Sequence, residues 1–197
     1  MTEQVAEPAW EIASLFPAQG NWSEDEYLAL DTNHLVEFSD GRIEVLPMPN
    51  DRHQAIAAFI FMAFVAFTKK FGGTVRFAPL RVRLWPGKVR EPDVVFLLAE
   101  HDARRHEEYW EGADVVVEVV SGSSQDRRRD LVTKRQEYAQ AGIPEYWIVD
   151  PDRGTITVLG LVGSEYEESG RFTRNDVATS SHLPGFQVAV NDVLDAI

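Results

Sequence analysis

The stretch Asp114-Val115-Val116-Val117-Glu118-Val119-Val120 decides the fold. Five valines around one glutamate give the β-branched density of a central strand, buried on both faces. Downstream, Ser121–Ser124 reads as a loop and Asp126 to Ala141 as a helix, closed by Gly142 with Pro144 just beyond. Glu145–Val149 is the next strand, stopped by Asp150-Pro151. The helix is therefore a crossover between two strands of one sheet. Upstream, Pro92 leads into a strand at Asp93–Leu98, and Ala99–Gly112 is a charged segment with room for a short helix.

Farther from the centre, Val36-Glu37-Phe38, Asp40-Gly41 and Arg42–Leu46 predict a hairpin turned by the Asp-Gly pair. Asp51 to Phe71 is a helix that is apolar almost all round and stops at Gly72-Gly73, a pattern that predicts burial. Thr74–Phe77 and Leu80–Leu84 read as strands joined through Pro79, and Pro86-Gly87 as a turn. Ser23, with Glu24, Asp25 and Glu26 behind it, marks a capped helix start. Ile156–Val162 and Phe172–Leu183 suggest a C-terminal hairpin region, and Phe186–Val190 a short closing helix. Residues 1–20 lack periodicity and are expected to form an arm. No repeat or linker divides 21–197, which reads as a single domain. The class is α/β: a mixed β-sheet flanked by helices, with an additional C-terminal β-hairpin region.

The anomaly in the central strand is Glu118. Glutamate is almost never fully buried without a partner, and an unpaired buried carboxylate costs several kcal/mol. Alternation puts it on the face shared by Val116 and Val120. Asp93, 25 residues earlier, opens another apolar strand. The two carboxylates converge if their strands are neighbours, and two hard oxygen ligands suit Mg²⁺ or Mn²⁺. Asp130, Lys134 and Tyr138 are spaced to share one face of the crossover helix, which can return over the strand's end. Each feature also has a plain structural reading. Glu118 can form an ion pair with Lys134 or an arginine, Asp93 can bond nearby backbone, and Asp130–Lys134 can be a solvated helix pair.

Composition bounds the rest. The 197 residues carry 19 Lys and Arg against 32 Asp and Glu, a formal charge of −13. That disfavours coating nucleic acid by bulk charge but leaves room for one local, metal-assisted phosphodiester cleft. There is no cysteine, which excludes a disulfide scaffold, a thiolate nucleophile and cysteine-based zinc sites. A reducing, cytoplasmic setting fits that absence. The longest uncharged apolar run, Ala55 to Phe67, is thirteen residues, short of the roughly 20 a membrane span needs, so no membrane partner is expected.

Pro92-Asp93, Val117–Ser121, Asp130–Arg135, Tyr138-Ala139, Gly142–Trp147 and Val149-Asp150-Pro151 resemble the Uma-two family of restriction endonucleases, within the PD-(D/E)XK nuclease superfamily. The resemblance reaches upstream to Glu37, Asp40-Gly41 and His53, and downstream to Leu183-Pro184-Gly185-Phe186, so it covers nearly the whole chain from about Trp22. It implies a restriction-endonuclease-like fold and metal-dependent hydrolysis of DNA. Asp93 matches the superfamily's Asp, and Glu118 its second acid. Val120 stands where the superfamily has lysine, and the resemblance assigns that role to Lys134 on the following helix. It implies that Asp93 and Glu118, with a backbone carbonyl near 119, hold Mg²⁺ or Mn²⁺. Lys134 would orient the attacking water or stabilise the phosphorane-like transition state. Glu37 would add an outer contact, with Glu44 as a further candidate. His53 would touch substrate or metal water, or else pack at its helix start. Tyr138 and Tyr146 would support the site.

Other chemistries find less. Ser121, Ser123 and Ser124 lack a G-x-S-x-G elbow. His101 and His106 lack the H-E-x-x-H pattern and read as surface. Trp110, Tyr146 and Trp147 read as packing in a core or a dimer face. Arg127-Arg128-Arg129 is the basic run: Ser121–Gln140 holds five basic and three acidic residues, a local +2. It steers phosphate in one reading and is a solvated helix start in the other, although cations are unfavourable there. The expected partners are DNA, with RNA a further possibility, a second copy of the chain for double-strand cleavage, and a partner protein for target recognition. The rival function is a catalytically silent binding or assembly subunit that keeps the acids as a structural ion-pair network.

Overall fold

The computed structural model describes residues 16–32, 34–121 and 124–197. The elements run α1 (Glu24–Leu28), β1 (Val36–Ser39), β2 (Arg42–Val45), α2 (Asp51–Phe71), β3 (Thr74–Phe77), β4 (Val82–Trp85), β5 (Lys88–Arg90) and β6 (Val94–Leu97). A 3-10 turn (Ala99–Arg104), β7 (Trp110–Glu111) and β8 (Val115–Val119) follow. Then α3 (Ser124–Arg128) passes through a π-turn (Arg129–Thr133) into α4 (Lys134–Gln140). The chain ends with β9 (Glu145–Asp150), β10 (Thr155–Val162), β11 (Glu165–Thr173), β12 (Val177–Thr179), β13 (Gln187–Ala189) and α5 (Val190–Leu194).

The central sheet has the order β11-β10-β9-β8-β6-β3. Its β8–β9 pair is parallel and the others antiparallel, so the helix between β8 and β9 is the crossover that the sequence predicts. Strand alternation divides the valines of β8. Val115, Val117 and Val119 face a core with Ile56, Ile60 and Phe64 of α2 and with Trp147 and Phe186. Val116 and Val120 face the opposite core, under Tyr138, Ile143 and Tyr146. Fully burying one such side chain is worth roughly 1.5–3 kcal/mol, so the valines fix the strand and carry Glu118 inside with them. A second sheet, β2-β1-β5-β4-β7, lies on the chain's N-terminal side, and β12-β13 forms a two-stranded ribbon. The α/β class with a C-terminal hairpin is therefore observed, with strands divided among three sheets.

Local chemistry set several elements as read. Asp40 (φ 49°) and Gly41 (φ 78°) both take the left-handed conformation that tightens the β1–β2 hairpin. Gly41 is also required by proximity, because a Cβ there would lie 2.6 Å from the Gly20 carbonyl oxygen. Gly20 N–H donates to Gly41 C=O, so the described end of the expected arm lies against that turn; residues 1–15 fall outside the described residues.

Other expectations change. Helix α2 is not buried all round: Ile56, Ala57, Ile60 and Phe64 form its buried stripe, while Met62 and Phe71 are exposed. A single sheet face covers only one side of a helix, whatever the composition of the other. Its 21 residues have the length and apolarity of a membrane span, and the buried stripe is taken up by the sheet. The crossover helix carries a π-turn within it, in which Lys134 N–H bonds back to Arg129 C=O while the flanking torsions stay helical. Residues 187–189 form β13 rather than a helix, and the closing helix is Val190–Leu194. Strands β5, β7 and the first part of β11 lie where the sequence predicts no strand.

Candidate active site at the end of the central strand

Register brings the two acids together. Val94 pairs with Val117, Val95 with Val116 and Phe96 with Val115, so continuing the antiparallel ladder by one residue sets Asp93 opposite Glu118. Asp93 Oδ2 accepts a 2.7 Å hydrogen bond from Val119 N–H and lies 3.2 Å from His53 Nε2. His53 arrives from the first turn of α2, which Asn50 caps by accepting from His53 N–H. Asp93 thus does bond nearby backbone, as its plain reading has it, and does so at the strand that carries Glu118.

The crossover helix supplies the cation. Lys134 Nζ lies 2.8 Å from Glu118 Oε1 and 2.9 Å from Glu37 Oε1, and 3.9 Å from Asp130 Oδ1. Tyr138 O–H donates to the same Glu118 oxygen at 2.6 Å, and Tyr146 O–H donates to the Asp130 carbonyl. Glu37, Glu118, Asp130 and Lys134 are all buried. Lys134 therefore sits among three buried carboxylates, of which Glu37 also pairs with Arg90 and Asp130 with Arg129. Burial pushes the Glu118 carboxyl up to about 8; Lys134 opposes the rise, and Asp93, Asp130 and Glu37 reinforce it. Burial likewise raises Asp130 against the pull of Lys134 and Arg129. Burial works against the charge on Lys134, yet Glu118, Glu37 and Asp130 outweigh it and hold the ammonium protonated. Glu37 goes the other way: burial is outweighed by Lys134 and Arg90, and its carboxyl is lowered. For His53, burial is outweighed by the hydrogen bond and charge of Asp93, so the ring is raised above its ordinary value.

Sequence reasoning missed the outer half of this network. Arg90 on β5 lies 2.9 Å from Glu37 and makes two 2.7 Å bonds to Glu137 of α4. Glu91 is buried, accepts from Val36 N–H at 3.0 Å and is pushed up to about 7, chiefly by burial. The available signal was the pair Arg90-Glu91 standing directly before Pro92-Asp93. Glu37 is placed as a partner of Lys134 and Arg90. Glu44 sits opposite Glu37 in the hairpin, half-exposed and 3.7 Å from Arg129. The basic run does not act as a unit. Arg127 is bound through both terminal nitrogens to Asp150, Arg129 pairs with Asp126 and Asp130, and Arg128 is exposed. His101 is more than a surface residue: its Nδ1 lies 2.8 Å from buried Asp114, which also accepts from Leu98 N–H. Trp110, Tyr146 and Trp147 are buried in the core.

Asp93, Glu118, Asp130, Lys134, His53, Glu91 and Arg129 line one small cavity of about 30 Å³, the space of roughly one water molecule. The metal question turns on its donors. No group of three or more ligand-type side chains is preformed among the described residues. Asp93 and Glu118 each have one oxygen engaged, through Oδ2 and Oε1, while Oδ1 and Oε2 have no such partner among the described residues. Two hard carboxylates with space for water fit Mg²⁺ or Mn²⁺, which take one or two carboxylates and complete their shell with water and phosphate.

The sequence profile of the Uma2 family, described as "putative restriction endonuclease", matches residues 24–191. The chain belongs to that family. A crystal structure from Anabaena variabilis, described as "a putative nuclease belonging to DUF820", superposes with a TM-score of 0.69 at 21% identity, covering 87% of this chain and 96% of that one. At that identity the likeness establishes a shared fold. No curated protein sequence matches the chain. The Uma2 match spans every element that builds the cavity, from β1 with Glu37 to α4 with Lys134 and Tyr138.

Proposed function

We propose that this Uma2-family chain is a Mg²⁺- or Mn²⁺-dependent endonuclease that hydrolyses DNA phosphodiester bonds. The observation that carries the reading is the meeting of two acids: β6–β8 register sets Asp93 opposite buried Glu118 at one small cavity, with Lys134 2.8 Å from Glu118 Oε1. Oδ1 of Asp93 and Oε2 of Glu118 have no partner among the described residues and sit at one cavity. Two such carboxylate oxygens suit a divalent cation.

Asp93 and Glu118 would hold the ion. When bound, it supplies Lewis acidity that activates water and neutralises phosphate charge. Lys134 and Tyr138 both donate to Glu118 Oε1, fixing that carboxylate and leaving its second oxygen for the ion. His53 and Val119 N–H do the same for Asp93. Lys134, held protonated, is a fixed positive charge against which charge developing on the phosphate is stabilised. Exposed Arg128 is the available phosphate contact in the basic run. A two-fold pair of chains would present one such site to each strand.

The silent-subunit reading has one observation in its favour: Lys134 is already satisfied by Glu37 and Glu118, and Arg90 and Glu137 extend the network. Cleavage of supercoiled plasmid, single-stranded DNA and RNA with Mg²⁺ and Mn²⁺ separates the two, with Mn²⁺ titrated calorimetrically into the same preparations. Metal-dependent nicking lost in folded Asp93→Asn and Glu118→Gln supports the nuclease. A wild type that binds no metal, beside variants that merely melt earlier, supports the silent subunit.

A further inference from the structure

A second, larger cleft adjoins the acid cavity. It has a volume of about 430 Å³ and lies between the first three turns of α2, the segment after β2 and the end of β3. Leu35, Pro49, His53 and Asp93 line both spaces, so the two share a wall. The larger one is apolar. Met48 (71% exposed), Met62 (60%) and Phe77 (54%) converge on it from three different elements of the chain. Phe77 meets Phe61 edge-on, with ring centroids 4.8 Å apart at 73°. Large apolar side chains exposed together around a concave surface mark a binding site.

Two features specify the occupant. No lysine or arginine lines the cleft, and its ionisable groups are His53 and Asp93, so it does not receive a phosphate. Its polar side chains are exposed Gln54 and His53, whose Nε2 faces Asp93 while Nδ1 is buried and has no hydrogen-bond partner among the described residues. A flat, apolar-faced ligand with hydrogen-bonding atoms on its edge, covalently attached to a phosphodiester one cavity away, meets both conditions. We propose that the cleft receives one unstacked nucleobase of the strand whose phosphodiester lies over Asp93 and Glu118. The aromatic rings and methionines take the base faces, and His53 Nδ1 takes an edge atom. This rests on the nuclease reading and deepens it. The substrate is a strand with an unpaired nucleotide, because a paired base must first leave the stack.

The test compares binding of a fluorescein-labelled twelve-nucleotide thymidine strand with that of an abasic strand of the same length and phosphate count. Anisotropy is read with Ca²⁺ present, for wild type, Phe77→Ala and Met62→Glu. Met62 is exposed on α2, so its replacement leaves the core packing intact. Base stacking on aromatic side chains predicts that wild type binds the thymidine strand about 5- to 150-fold more tightly than the abasic one. Both variants should bind the two strands alike, at the weaker affinity. Equal wild-type affinity for both strands, lost in Asp93→Asn, overturns the base cleft and leaves the nuclease reading standing. No binding of either strand overturns both. A cleft used for self-association shows instead as a dimer in sedimentation that Met62→Glu dissociates with the preference between strands unchanged, and that also overturns the proposal.

Discussion

Replacing Glu118 by glutamine removes one negative charge from a buried cluster while keeping its shape. The glutamine oxygen can still accept from Lys134 Nζ and Tyr138 O–H, which meet Glu118 Oε1 at 2.8 and 2.6 Å. Lys134 keeps Glu37 at 2.9 Å, so it is not orphaned. In wild type the carboxyl rises from 4.5 to about 8 on folding. Between those values the folded chain holds a proton that the unfolded chain releases, so stability is greatest below about pH 4.5 and falls as pH rises toward 8. Each tenfold change in proton affinity is about 1.4 kcal/mol. From pH 5 to pH 8 the loss attributable to Glu118 is therefore on the order of 2–4 kcal/mol, the lower figure allowing for protonation shared with Asp130. Glutamine has no such loss. Urea unfolding of both proteins at pH 5, 6, 7 and 8 in EDTA should show the variant within about 1 kcal/mol of wild type at pH 5. Its relative stability should then climb by 2–4 kcal/mol by pH 8, roughly 4–16 °C in Tm for a domain of this size. A structural ion pair behaves differently, since breaking one by removal of a single partner costs about 3–5 kcal/mol. A variant that much less stable at every pH would refute the reasoning that burial holds the Glu118 proton.

Other perturbations follow from the same contacts. Lys134→Met removes the ammonium from Glu118, Glu37 and Asp130 and should cost about 3–5 kcal/mol at pH 9, where Glu118 is ionised, less at pH 5, where it is protonated; thermal melts at the two pH values check this. Tyr138→Phe deletes the 2.6 Å donor to Glu118 and should cost about 1.5–3 kcal/mol by urea unfolding, with the deficit growing toward pH 8. Glu145→Gln serves as a contrast. That buried carboxylate accepts from Trp147 Nε1, Ser180 Oγ, Ser181 N–H and Oγ, and His182 N–H. Its replacement should cost at least about 2 kcal/mol while the calorimetric Mn²⁺ titration stays as in wild type. Arg128→Ala should reduce the slope of log affinity against log salt for a single strand by about 0.7, whereas Arg127→Ala, already bound to Asp150, should leave the slope unchanged and lower the melting temperature.

The sequence alone determined what depends on neighbours along the chain. Five valines around Glu118 set a central strand, Asp40-Gly41 set a hairpin, Gly72 and Gly142 ended helices, and the buried glutamate announced that something must compensate it. The spacing of Asp130, Lys134 and Tyr138 gave the compensating face, since residues four apart on a helix are neighbours. The family resemblance then implied roles for Asp93, Glu118 and Lys134, which the residues had already singled out. Tertiary structure decided the rest. Whether Asp93 meets Glu118 depends on β6 and β8 pairing in the register Val94↔Val117, and apolar strands are compatible with many partners and offsets. The π-turn that ends at Lys134 has no local composition to mark it. Arg90 and Glu137, 47 residues apart, enter only when the second sheet closes on α4. The exposed side of α2 looked in sequence like a core face, because periodicity reports which residues are apolar and not which of them another element covers. Torsions, caps and spacing are local energies that a sequence displays. Pairing and coverage are choices among distant segments, and the competition for burial settles them only once the whole chain has folded.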